Sequence, residues 1–428
     1  MDNEMDNKYQ LYKATVKVPD CLGLLSDKAD PYSDERMEAE RQYEEYLLDK
    51  EREIRDHSTV YKTYLSSVIP TLFEGADHKN QVFSPFSLYP VLVLLAALSE
   101  GETQAEITRL LDFDAETIED ALRDVTDLMV CSSISGPGLT IAPASSVWFA
   151  SHALPDWGAI SSMATILAEI YQGSMEDPEY TGLLRNWADQ KTGGLLADSI
   201  HSFPIPITTA FIMITAILLH AKWETPFYKE DTRKKTFHTP ESDISCPFMH
   251  LSERLDCWFG NGFTAVNPRF DSLGSMWFAL PDEGKSPADI INDPAFINEL
   301  SSGQTEHELC DVDLSLPRFS TTCSRSIDEC LQKLGIRRVY TDDAEMPFIS
   351  SEKGPVKLDH VEHGACVKID EDGVEASSYT MMSCIAGAAL PETLRKVKLV
   401  FDRPFVYWIS IGHNMPLFMG ICNNPAEK

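Results

Sequence analysis

The sequence is poor in the marks of an enzyme, a stapled secreted scaffold or a membrane protein. It has no G-x-S-x-G, no H-E-x-x-H and no glycine-rich phosphate loop, so a hydrolase or nucleotide enzyme has no local signature. Its 10 cysteines include no C-x-x-C and no zinc-like cluster, which fits reduced thiols rather than a disulfide framework or a metal centre. No Asn-x-Ser/Thr sequon occurs, and the opening MDNEMDNKYQLYK has no apolar core of a signal peptide. No apolar run is long enough to span a bilayer. The expectation is a cytoplasmic protein, or one exported without a recognisable signal. Positive charge is scarce too: 36 Lys and Arg stand against 67 Asp and Glu, a net charge of -31. That balance disfavours nucleic acid and anionic membranes as partners.

The 428 residues, 43% of them hydrophobic, suffice for a large core, and neither a Pro/Gly/Ser-rich linker nor an internal repeat divides them. Residues 33–57 (SDERMEAERQYEEYLLDKEREIRDH) pair Glu with Arg or Lys at helical spacing and read as a solvated helix. Ser84-Pro85 opens another helix, with serine at the N-cap and proline at the first turn. HGACVKID (363–370) alternates as a half-buried strand, and FVYWISI (405–411) reads as a second, apolar one.

Between those strands lie about thirty residues without helical periodicity, a length that is functional or disordered in a compact domain. Residues 374–390 are small and nearly uncharged, unlike a disordered linker. At a period of two, Val374, Ala376, Ser378, Thr380, Met382 and Cys384 share one face; Glu375, Ser377, Tyr379 and Met381 share the other. This pattern fits a strand awaiting burial on one side and, equally, an exposed edge strand or tether.

The segments EDGVEASS (371–378), FDRPFVYWI (401–409) and PLFMGICNNP (416–425) resemble the hinge and C-terminal signatures of the serpins. The resemblance runs from about residue 58 to the end through VFSPFSLYPVLVLLAALSEGETQAEI (82–107), NWADQKTGGLL (186–196), FIMITAILLHAKWETPF (211–227), VDLSLPRFS (312–320) and LQKLGI (331–336). It implies an α+β fold of three β-sheets with eight or nine helices and an exposed reactive-centre loop at about 373–397. The charged extension 1–57 then precedes a single domain, 58–428.

The resemblance also assigns residues. Glu371, Gly373, Val374, Glu375, Ala376, Ser377, Ser378 and Thr380 form the hinge of the loop. Ser84, Ser87, Thr215 and His363 fall in the shutter beneath the main sheet, Thr215 standing where the family usually carries asparagine. Trp223, Arg318 and Glu371 form the breach at the top of the sheet, Glu371 and Arg318 as a salt bridge. His360 and His363 are no metal pair, because three residues apart on a strand they face opposite ways.

The implied mechanism is suicide inhibition. A serine protease attacks the loop and forms an acyl-enzyme. The cut loop then enters the sheet as a new strand. About fourteen residues at roughly 3.3 Å each carry the enzyme on the order of 45 Å. Entry requires small side chains on the inward face, which Val374, Ala376, Ser378 and Thr380 supply. The family spacing from Gly373 puts the scissile bond at Gly387-Ala388. Ala386, Ala389 and Leu390 are neighbouring candidates, because this loop is about six residues longer than usual. Small residues there suit an elastase-like or subtilisin-like enzyme. No cofactor or metal is expected. DFDAETIEDALRDVTDL (112–128) is acidic where heparin-binding relatives are basic, so no heparin activation is expected. The expected state is a monomer able to form loop-sheet polymers. A non-inhibitory carrier and a hydrolase remain as competing functions; Val374 and Tyr379 are the hinge's departures from the family pattern.

Overall fold

The computed structural model describes residues 8–13, 33–76, 78–136, 138–302, 306–374, 394–412 and 414–427. Its strands run in chain order as β1 (Gln10–Tyr12), β2 (Gln81–Phe83), β3 (Ile134–Ser135), β4 (Leu139–Ala150), β5 (Ala153–Pro155), β6 (Ala168–Gly173), β7 (Phe211–Lys222), β8 (Arg233–His238), β9 (Asp243–Gly260) and β10 (Phe263–Val266). They continue as β11 (Ser275–Pro281), β12 (Glu308–Pro317), β13 (Phe319–Ser326), β14 (Ile349–Ser351), β15 (Glu362–Ile369), β16 (Gly373–Val374), β17 (Arg395–Val400), β18 (Phe405–Ile411) and β19 (Met415–Cys422). Three sheets result, as expected. One has the order β1-β6-β4-β7-β16-β15-β13 with β3 on β4; the second runs β17-β12-β9-β10-β11-β18-β19-β2 with β8 on β9; β14 and β5 form the third.

The helices are α1 (Asp34–His57), α2 (Thr59–Leu72), α3 (Pro85–Ala97), α4 (Gly101–Leu111), α5 (Ile118–Cys131) and, further along, α6 (Trp157–Thr165), α7 (Pro178–Lys191), α8 (Ala197–Ser202), α9 (Pro287–Ile291), α10 (Pro294–Ser302) and α11 (Asp328–Lys333). That makes eleven among the described residues, against the eight or nine expected. α1 lies outside the resemblance, and α8, α9 and α11 are short helices that periodicity does not reveal.

The chain divides into two compact units, one of Met1–Leu72, Phe83–Leu218 and Ser324–Ala365, the other of Phe73–Val82, Leu219–Cys323 and Cys366–Lys428. In the first, α3 is apolar all round and buried nearly throughout, packing Phe86 and Tyr89 against Tyr61 of α2. Ser84 caps it by accepting the Ser87 N–H at 3.1 Å, as its sequence predicts.

α1 departs from the expectation of a solvated helix. Its charges pair along the exposed side, but Ala39, Tyr43 and Ile54 are buried. The Tyr46 hydroxyl donates to the Ser133 carbonyl at 3.1 Å, and Lys50 Nζ donates to the Val130 carbonyl at 3.0 Å. An ammonium at the C-terminal carbonyls of α5 is where a helix dipole favours it.

In the second unit, β18 and β19 are buried along their whole length, which explains why FVYWISI is continuously apolar instead of alternating. Trp277 of β11 stacks on Trp408 of β18 with ring centroids 5.6 Å apart.

Candidate functional site

The base of the loop is built by the end of β15, a three-residue reversal and β16. Along β15 the side chains alternate, with His363, Ala365, Val367 and Ile369 buried, so one face packs inward. Asp370 and Asp372 then turn the chain: the Asp370 side chain accepts the Asp372 N–H, and the Asp370 N–H bonds the Gly373 carbonyl, both at 3.0 Å. β16 pairs on one side with β15, Val374 opposite Ile369. On the other it pairs with β7, Gly373 opposite Lys222 and Val374 opposite Ala221. Gly373 is required here. At its φ of +153° a Cβ would stand 2.1 Å from the Ala221 carbonyl oxygen, which belongs to a sheet backbone that cannot yield.

Glu371 is 2% exposed, and its neighbours decide what holds it. The Thr232 hydroxyl donates to Oε1 at 2.8 Å, while Arg318 Nη1 stands 3.5 Å from Oε2 with its side chain half exposed. The Phe227 N–H bonds the Glu371 carbonyl at 3.1 Å. Trp223 donates its indole N–H to the Asp370 carbonyl at 2.9 Å and packs on Phe227 and Phe270. On the surface, Lys229 Nζ meets Asp372 at 2.7 Å, a bond that raises the lysine's pKa. The structure thus brings together Trp223, Arg318 and Glu371, with Gly373 and Val374 beside them. Sequence reading missed Thr232 and Lys229, whose only hint is a polar stretch before β8.

The second predicted group gathers at the start of α3. The Ser84 backbone N–H donates to His363 Nε2 at 3.1 Å, and the Ser87 hydroxyl donates to the Ser84 carbonyl at 3.0 Å. The Thr215 hydroxyl donates to the Ser87 carbonyl. Burial first, and then the Arg325 guanidinium, push the His363 pKa down to about 4, so the ring is neutral and can accept at Nε2. His360 belongs elsewhere, its ring nitrogens on Asp328 at 2.6 Å and Glu362 at 3.1 Å.

Glu375, Ala376, Ser377, Ser378, Tyr379, Thr380 and the bond candidates Ala386, Gly387, Ala388, Ala389 and Leu390 lie outside the described residues. The returning strand begins at Arg395, so residues 395–397 belong to β17 and not to the loop. Among the described residues one trio, His57, Asp124 and Asp127, brings possible metal-ligating atoms within 4.8 Å of one another; nothing beyond that clustering points to an ion. Cys131, Cys246, Cys257, Cys310 and Cys422 are buried free thiols, and no described helix is long and apolar enough to cross a membrane.

The family model Serpin (serine protease inhibitor) matches residues 67–425. Plasma serine protease inhibitor of Bos taurus is 26% identical over 380 residues, covering 85% of this chain and 90% of its own. Alpha-1-antiproteinase of Mus saxicola is 25% identical over 375 residues, covering 85% and 87%. Among solved structures, the native state of the thermophilic serpin Tengpin matches with a TM-score of 0.72 at 22% identity, covering 85% of this chain and 94% of that one. Human thyroxine-binding globulin matches with a TM-score of 0.73 at 21% identity, covering 88% and 100%.

Proposed function

The chain belongs to the serpin family, and from that premise we propose that it is a suicide-substrate inhibitor of a serine protease rather than a catalyst or a carrier. The observation that carries the proposal is β16. Two residues of the hinge already pair with β7 on one side and β15 on the other, and both flanking strands are longer than the insert between them. Further loop residues can extend that strand. Its face after Val374 is small in sequence: Ala376, Ser378, Thr380.

The geometry supports a role for each residue. Gly373 lets the hinge approach Ala221; Glu371, held by Thr232 and Arg318, fixes the loop base; Trp223 anchors the reversal. Ser84, Ser87, Thr215 and His363 form the hydrogen-bonded group that responds when the sheet opens. The target forms a covalent acyl-enzyme at Gly387-Ala388 or a neighbouring bond of residues 386–390. Small residues there favour an elastase-like or subtilisin-like protease. Residues 1–57 are an extension to the inhibitory domain 58–428, and the protein acts as a monomer.

Thyroxine-binding globulin shares the fold, so the fold alone does not separate inhibitor from carrier. Incubation with elastase and with subtilisin does. An SDS-resistant adduct, and a large gain in thermal stability after the loop is nicked, are expected of an inhibitor. Clean cleavage with unchanged melting would overturn the inhibitor reading and point to the carrier instead.

A further inference from the structure

Arg325, near the end of β13, has no place in the roles above. One end of its guanidinium donates to the Leu72 carbonyl, the last residue of α2, at 2.6 Å. The same group lies 4.7 Å from the centroid of the Phe83 ring. Phe83 in turn stacks on His363, with centroids 5.4 Å apart and planes 21° from parallel. The next residue after Phe83 is Ser84, whose N–H is the donor to His363 Nε2. A planar cation, a benzene ring and an imidazole therefore lie in contact order, and the imidazole bonds back to the residue beside the benzene ring.

We propose that Arg325 is a positioning residue for sheet opening: it clamps Phe83 to the end of α2, and Phe83 holds His363 as a neutral acceptor for the Ser84 N–H. The inference rests on the inhibitor reading for its purpose, the bracing of a sheet that opens. The physical basis is the flat guanidinium, which can stack on a ring and donate in its own plane together; an ammonium cannot.

Arg325 is the charged side chain whose field acts on His363. From β2 and the start of α3 the imidazole meets Phe83 and Ser84. The nearby acids of its own stretch are engaged elsewhere, Glu362 with Ser324 and His360, Asp328 with His360 and Ser326. Removing Arg325 thus removes a cation that opposes imidazole protonation without freeing a carboxylate to replace it.

The test is NMR titration of the His363 ring and hydrogen exchange of the Ser84 amide in the full chain, wild type against Arg325→Met and Arg325→Lys. The methionine variant should raise the His363 midpoint by about one pH unit and speed Ser84 exchange roughly tenfold, to the degree expected when one hydrogen bond of about 1.4 kcal/mol is lost. The lysine variant keeps the charge, so its midpoint should stay near the wild-type value while Ser84 exchange still rises several-fold. Wild-type midpoint and exchange in the methionine variant would overturn the clamp. Should that variant not fold, unchanged Ser84 exchange in the lysine variant would overturn it instead. Neither readout involves a protease, and failure of the inhibitor reading shows separately, as an absent stability gain on nicking.

Discussion

Thr232 is the nearer partner of Glu371: its hydroxyl donates at 2.8 Å, whereas Arg318 stands at 3.5 Å on a half-exposed side chain. The carboxylate is buried, so what it loses on substitution depends on which partner excludes water from it.

Thr232→Val should therefore destabilise the native protein by about 1–3 kcal/mol, the cost of a buried acceptor left short of a donor. Arg318→Met should cost less than about 1 kcal/mol, since a half-exposed cation is screened. Chemical denaturation of the two variants checks the order; the reverse ranking would restore the ion pair as the main support.

Glu371→Lys removes both bonds and sets a second cation beside Arg318. The freed loop base should pair with the sheets of neighbouring molecules on mild heating. Native gels would show ladders of polymers, and a variant that stays monomeric would count against the brace.

Gly373→Ala places a methyl carbon against the Ala221 carbonyl and the Lys222 Cα, both main-chain atoms. The hinge should leave its place between β7 and β15, at a cost of about 1–3 kcal/mol in native stability. Faster amide exchange at Val374 is the expected signature.

Ala376→Arg tests the facing assignment beyond Val374, whose buried side chain sets the register of the inward face. Cleavage should proceed while the covalent adduct disappears, since a charge on that face stalls entry. A persistent adduct would show that residue 376 points outward.

His363 predicts a pH window. Its folded pKa of about 4 lies below the ordinary 6.5, so the unfolded chain binds the proton more tightly. The stability linked to the neutral ring is fully present above about pH 6.5 and is lost as pH falls toward 4. Over that interval the loss is on the order of 3 kcal/mol. The difference between wild type and His363→Gln in denaturation at pH 7 and pH 4.5 should shrink accordingly.

Some of this was legible in the sequence because it is local. Ser84 caps α3 through a bond to Ser87, three residues on, and the alternation from His363 to Ile369 is the burial pattern itself. Arg318 and Glu371 came from the family resemblance, not from any period. Thr232 and Arg325 could not be read that way. Their bonds to Glu371 and Leu72 join residues 139 and 253 positions apart, and no periodicity reports which distant side chain fills a given gap. The buried face of α1 is the intermediate case. Ala39, Tyr43, Tyr46, Leu47 and Ile54 form a helical stripe, masked by the many charges between them.

The two rungs formed by Gly373 and Val374 bear on kinetics. In most strand additions the slow event is the first encounter, when a floppy segment gives up its freedom before any ladder rewards it. Here that encounter precedes any cut. On the proposed inhibitory mechanism, what remains after cleavage would be elongation from an existing seed. The race against deacylation would then be set by the number of residues still to be zipped, and a longer loop would lengthen the race without delaying its start.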